Sequence, residues 1–164
     1  MLSRTLLFPL VLPAVFLAGA GCGNHPASDS VKAFTVALAD SSWSDAWQMV
    51  TPATQAIWDS TAVVFLHFGY TEGAEFLSTL SVPVTEEEFI SLDGEMLFTR
   101  MVQSAPETAE LSSSVRGVEL ADSTTALVTV ATSEGEQIIP VKLVGGHWLL
   151  DLTMLTPPPE TPAE

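Results

Sequence analysis

"QIIPVKLVGGHWLLDLTM", residues 137–154, holds two apolar runs separated by a Gly-Gly pair. A two-residue loop between alternating runs needs positive φ, which glycine adopts without steric cost. The stretch therefore reads as a β-hairpin, and the loop length fixes its register. Val144 faces His147, Leu143 faces Trp148, Val141 faces Leu150 and Ile139 faces Leu152. Side chains alternate between faces along a strand, so Ile139, Val141, Leu143, Trp148, Leu150 and Leu152 gather on one apolar face. Lys142, His147, Leu149 and Asp151 fall on the other, a solvated or lightly covered one. Pro140 has no N–H to give a ladder, so its strand has an edge or a bulge there.

The period of two continues upstream. "SVRGVEL" (114–120) and "TTALVTVAT" (124–132) read as two more strands, linked by residues 121–123 and then by "SEGE". Above these lies helical patterning. "SDSVKAFTVALAD" (28–40) carries Val31, Phe34 and Leu38 at helical spacing, with Ser or Asp available as its cap. In "SWSDAWQMV" Ser42 is placed to cap a stripe of Trp43, Ala46, Trp47 and Val50. Thr51-Pro52 then opens a third helix that runs to Phe68 and ends at Gly69. Apolar over most of its surface in "AVVFLHF", it reads as the most buried helix, or as one leading into a short strand.

A short helical piece covers "EGAEFLSTL" and stops at Pro83. In "VTEEEF", Thr85 and Glu88 have capping-box spacing, with Val84 and Phe89 at the staple positions. The helix that follows carries Phe89, Leu92, Met96 and Met101 to about Val102. Glu86, Glu87 and Glu88 suit a helix N-terminus, which favours acids in its first turn. Consecutive helical side chains do not converge on an ion, so no metal site is read there.

The fold class is thus α+β, with N-terminal helices packed on a curved antiparallel sheet formed mainly by the four C-terminal strands. One domain, residues 29–154, accounts for it. A chain of about 130 residues buries enough surface for a single core. The acidic, proline-rich "TPPPETPAE" forms a tail, residues 155–164, with no apolar periodicity.

The amino-terminal segment reads differently. Arg4 precedes an uncharged apolar run from Leu6 to Ala20, interrupted by Pro9 and Pro13. That is the pattern of a secretory signal, and it is too short and broken for a permanent transmembrane helix. Gly19, Ala20 and Gly21 lead into Cys22, the sole cysteine. The arrangement resembles the lipobox of bacterial lipoproteins, although Gly19 stands where those proteins usually have Leu. The resemblance implies cleavage between Gly21 and Cys22, a signal peptide of residues 1–21, acylation of Cys22 by palmitate-like chains, and a short tether at 22–28. Gly23 in place of Asp resembles the default that sends such proteins to the outer membrane, facing the periplasm, in cells with two membranes. An ordinary signal cut after Ala20 is the alternative, and it would leave an unpaired thiol.

Loss of residues 1–21 removes Arg4 and no acid, taking the formal charge from −15 to −16. Phosphate backbones and anionic headgroups repel such a surface, which argues against nucleic acid and assigns membrane adhesion to acyl chains.

The helical run "F…AL…W..AW..VTP" followed by a meander ending in "VKLVGGHWLLD" resembles the nuclear-transport-factor-2-like superfamily, lipoproteins of unassigned activity among them. The resemblance implies helices in the concavity of a curved sheet, often around a pocket. It departs from the usual pattern over residues 52–103, where relatives commonly interpose strands. Some members are enzymes of the isomerase type that use a pocket Asp. Here His147 and Asp151 fall on the face away from the interior, and neither nucleophile elbow, metal-ligand spacing nor phosphate loop is present. The expectation is therefore a noncatalytic binding or scaffolding domain without cofactor, and the alternative a small tethered isomerase or dehydratase. Trp47, Trp58, Phe65, His67 and Trp148 are the candidate lining of a pocket for a small apolar ligand. Leu127 and Leu149, on the outer sheet face, suggest a homodimer or an envelope-protein partner.

Overall fold

Thr51 and Pro52 set the start of the longest helix. The Thr51 hydroxyl accepts from the Thr54 amide, and Pro52 occupies the first helical position, where an amide proton is not needed. In the computed structural model, residues 25–104, 114–132 and 135–154 are described. They form helices α1 (Pro26–Ala39), α2 (Trp43–Gln48), α3 (Pro52–Phe68), α4 (Tyr70–Thr79), α5 (Glu86–Ile90) and α6 (Gly94–Ser104). Strands β1 (Ser114–Leu120), β2 (Thr125–Thr132), β3 (Gly135–Val144) and β4 (His147–Leu150) follow, then a 3-10 turn at Leu152–Met154. The strands pair in sequence order, all antiparallel, so the architecture is α+β with the helices before the sheet.

The hairpin register is as expected for Val144↔His147, Leu143↔Trp148 and Val141↔Leu150. Gly145 and Gly146 take φ of 58° and 88° in the turn. The expected Ile139–Leu152 pair does not form, because β4 ends at Leu150 and Leu152 enters the 3-10 turn. Pro140 sits where that ladder stops. Its carbonyl accepts from the Asp151 amide, and its missing N–H would have pointed to the same side, past the last β3–β4 pair.

Beyond β4 the sheet gains a stitch. Leu150 accepts from Thr51 N and donates to Met49 O, both at 2.9 Å, and Val50 bridges Leu150 in parallel. The Thr54 hydroxyl, 3.0 Å away, then accepts from Leu152 N.

The inner sheet face carries Ala126, Val128, Val130, Val141 and Leu150, all fully buried against α1 and α2. Val115 and Val118 also pack there, although three residues apart. A bulge between Val115 and Gly117 makes this geometrically allowed, since the extra residue resets the alternation. A second cluster, with Phe65, Leu77, Val82, Phe89, Leu92 and Leu97, fills the space among α3 to α6. Phe98 and Trp58 join the two, their rings 5.7 Å apart.

Four further expectations are corrected. The first helix begins at Pro26, ahead of the 28–40 stretch and its expected Ser or Asp cap, because His25 is its cap and Pro26 its first residue. The helix after Thr85 is two helices: α5 stops at Ile90, and the Asp93 carboxylate caps α6 through Met96 N. Gly94, at the start of α6, lies against Asp59 of α3; a Cβ there would stand 2.6 Å from the Asp59 nitrogen. Helix α3 is not the most buried helix. Among its described side chains Ile57, Val63, Val64 and Phe68 are more than half exposed. Leu127 and Leu149 are half-buried rather than exposed.

Candidate functional site

His25 connects the start of α1 to the hairpin. Its Nδ1 accepts from Ala27 N at 3.1 Å, and its carbonyl accepts from the Ser28 hydroxyl at 2.7 Å. Its ring stands edge-on to Trp148, centroids 5.3 Å apart at 69°. The amide and ring contacts together fix the first turn of α1 on β4. Beside them lies an open depression of about 410 Å³, lined by Ser30, Ala33, Gln48, Met49, Val144, His147, Trp148 and Leu149. Its walls are α1, the end of α2 and the β3–β4 turn.

Asp151 takes no part in that depression's chemistry. The sequence places it on a lightly covered face, whereas the structure buries it completely. Its Oδ2 meets the Lys142 ammonium at 2.5 Å, and its Oδ1 accepts from the Thr153 hydroxyl at 2.5 Å and the Thr153 amide at 3.2 Å. Burial pushes its pKa up, but the Lys142 and Thr153 hydrogen bonds and the lysine charge outweigh it, leaving the carboxyl below the usual range. A carboxylate held that way is a structural anion and a poor proton acceptor. The reason for the burial is the turn after Leu150, which swings the chain inward toward Thr54.

The five aromatic and histidine candidates separate. Trp47 and Trp58 each meet Phe98, at 5.5 and 5.7 Å between centroids. Phe65 belongs to the second cluster and meets Phe76. His67 is exposed on α3. Only Trp148 of the five lines the depression. His25 is the residue that sequence reasoning missed, assigned there to a tether; the signal was Pro26, which favours the first helical position and makes its predecessor the cap. Gly21 and Cys22 lie outside the described residues, as do residues 155–164.

Among the described residues no group of three or more His, Cys, Asp or Glu is placed to hold a metal ion, and no helix is long and apolar enough to cross a membrane. No protein family, curated protein or solved structure matches the chain.

Proposed function

We propose that the chain is a lipid-anchored protein of the bacterial cell envelope whose one α+β domain binds or scaffolds, without catalysis, beside the membrane. The domain is of the nuclear-transport-factor-2-like kind in this reading, and its partner is the bilayer, met through acyl chains on Cys22. One observation carries the proposal: His25, three residues after the lipobox-like cysteine, already caps α1 and meets Trp148 edge-on. Three extended residues span about 10 Å. Acylation of Cys22 would therefore hold the His25–Trp148 corner, and the depression beside it, at the headgroup layer. Two or more acyl chains give firm anchoring where one gives only reversible binding. The acidic surface supplies no attraction of its own to anionic lipid.

The test is an intact-mass measurement of the protein extracted from membranes. A chain beginning at Cys22 with a lipid-sized addition is the expected result. An unmodified chain cut after Ala20 would overturn the reading, as would unchanged membrane association of Cys22→Ser.

A further inference from the structure

Helix α3 shows two distinct faces. Thr54, Trp58, Ala62 and Phe65 turn toward the other helices and are buried or half-buried. About 100° around the helix, Ile57, Thr61, Val64 and Phe68 repeat with 4-3-4 spacing, the spacing of a seam between paired helices. Ile57, Val64 and Phe68 are 52%, 54% and 56% exposed, and Thr61 is half-buried. Phe76 of α4, also exposed, meets Phe65 and widens the strip.

Charge decides what covers it. Residues 60–71 contain no Asp, Glu, Lys or Arg, in a chain of net charge −15. No Lys or Arg occurs from Ala33 to Thr99, so this half of the molecule offers nothing to lipid phosphates or to an acidic partner. Glu72 and Glu75, both exposed on α4, would be pressed against headgroups if the strip met a bilayer. Two copies that meet along α3 bring no like charges together within residues 60–71, and the Glu72 and Glu75 of each copy, beyond that span on α4, stay in water. The exposed apolar area is on the order of 500 Å² per copy, so a pair buries about 1,000 Å², the lower limit for a specific interface.

We propose that this α3 strip is a self-association surface on which a second copy of the chain packs its own α3. A two-fold pairing is isologous. Antiparallel helices then place Ile57 opposite Phe68 and Thr61 opposite Val64, with the axis beside Val64. The proposal stands independently of the lipid anchor.

Thiol cross-linking of the full chain in its native membranes tests it, with the unsubstituted chain reporting any cross-link through Cys22. Val64→Cys, near the axis, is expected to give a species of twice the chain mass. Ile57→Cys alone is expected to give none, because its symmetry mate lies about 16 Å away along the axis. The double variant Ile57→Cys/Phe68→Cys is expected to restore the doubled species. All three positions are exposed, and unchanged thermal melting verifies that the fold is kept. A Val64→Cys chain that does not cross-link overturns the proposal. If it also resists a charged maleimide, the bilayer covers the strip instead, and a cross-link of any other mass assigns the strip to a different protein; both outcomes overturn self-association.

Discussion

The Lys142 ammonium lies 2.5 Å from Asp151 Oδ2, and the lysine side chain is 41% exposed while the aspartate is fully buried. A buried carboxylate needs a partner because removing its counter-charge leaves an uncompensated charge, at roughly 3–5 kcal/mol for a wholly buried pair. Lysine exposure reduces that figure through solvent screening. Lys142→Met is expected to destabilise the fold by about 2 kcal/mol, measured by urea unfolding. A change below about 0.5 kcal/mol would show that Asp151 needs no cation.

Acid should weaken the protein through the same group. Asp151 is held below its ordinary range, as are Glu88, chiefly by the Thr85 amide, and Asp122, chiefly by the Thr124 amide. A carboxyl with a depressed folded pKa adds stability above its unfolded value, about 4, and loses it as pH falls through the folded value. The melting temperature should therefore be flat near neutrality and drop below about pH 4. Asp151→Asn should make that drop shallower. An equally steep acid limb in this variant would remove Asp151 from the account.

Gly94 and Gly73 are positions of close approach. A Cβ on Gly73 would stand 2.5 Å from Phe89 Cζ and 3.0 Å from the Phe65 carbonyl, and one on Gly94 would strike the Asp59 backbone. Gly94→Ala, against backbone, should cost about 3 kcal/mol, the upper end of overpacking. Gly73→Ala should cost less, because a phenyl ring can shift. Gly117→Ala, with open space around it, serves as the control.

Phe98 is 1% exposed and touches both Trp47 and Trp58. Phe98→Ala should lower stability by about 4 kcal/mol, within the range for buried aromatic truncation. Because Trp58 packs on both clusters, tryptophan emission should shift red in the folded variant. An unshifted spectrum would mean the clusters do not depend on this ring for contact.

His25→Ala removes both the α1 cap and the ring contact with Trp148. The cap alone contributes about 1 kcal/mol. Hydrogen exchange should quicken in the first turn of α1, at Ala27–Asp29, and stay unchanged in α3. His25→Asn, which keeps a capping acceptor, should restore most of the protection.

Features written in adjacent residues were legible from the sequence. Thr51-Pro52 and Gly69 bound α3 as read, Thr85 and Glu88 form the reciprocal capping box, and Gly145-Gly146 set the hairpin register. Features that depend on residues distant in sequence were not. The close approach of Gly94 to Asp59 is a contact between two helices. The burial of Asp151 depends on a turn toward Thr54, and the inward pointing of both Val115 and Val118 on one bulge. Helix α3 exposes a further limit, since a segment apolar all round carries no periodicity to say which side is covered. Of the pocket candidates, only Trp148 lines the depression beside α1. His25 escaped notice because its role rests on packing with a strand far along the chain.

The stitch between residues 49–51 and Leu150, with Thr54 accepting from Leu152 N across 98 positions, has a bearing on how the molecule comes into being. Closing so wide a circuit is entropically slow. A growing chain that has not yet reached Leu150 lacks the rung on which the entry to its longest helix rests. Until that moment the Thr51 amide and the Met49 carbonyl wait for their partners.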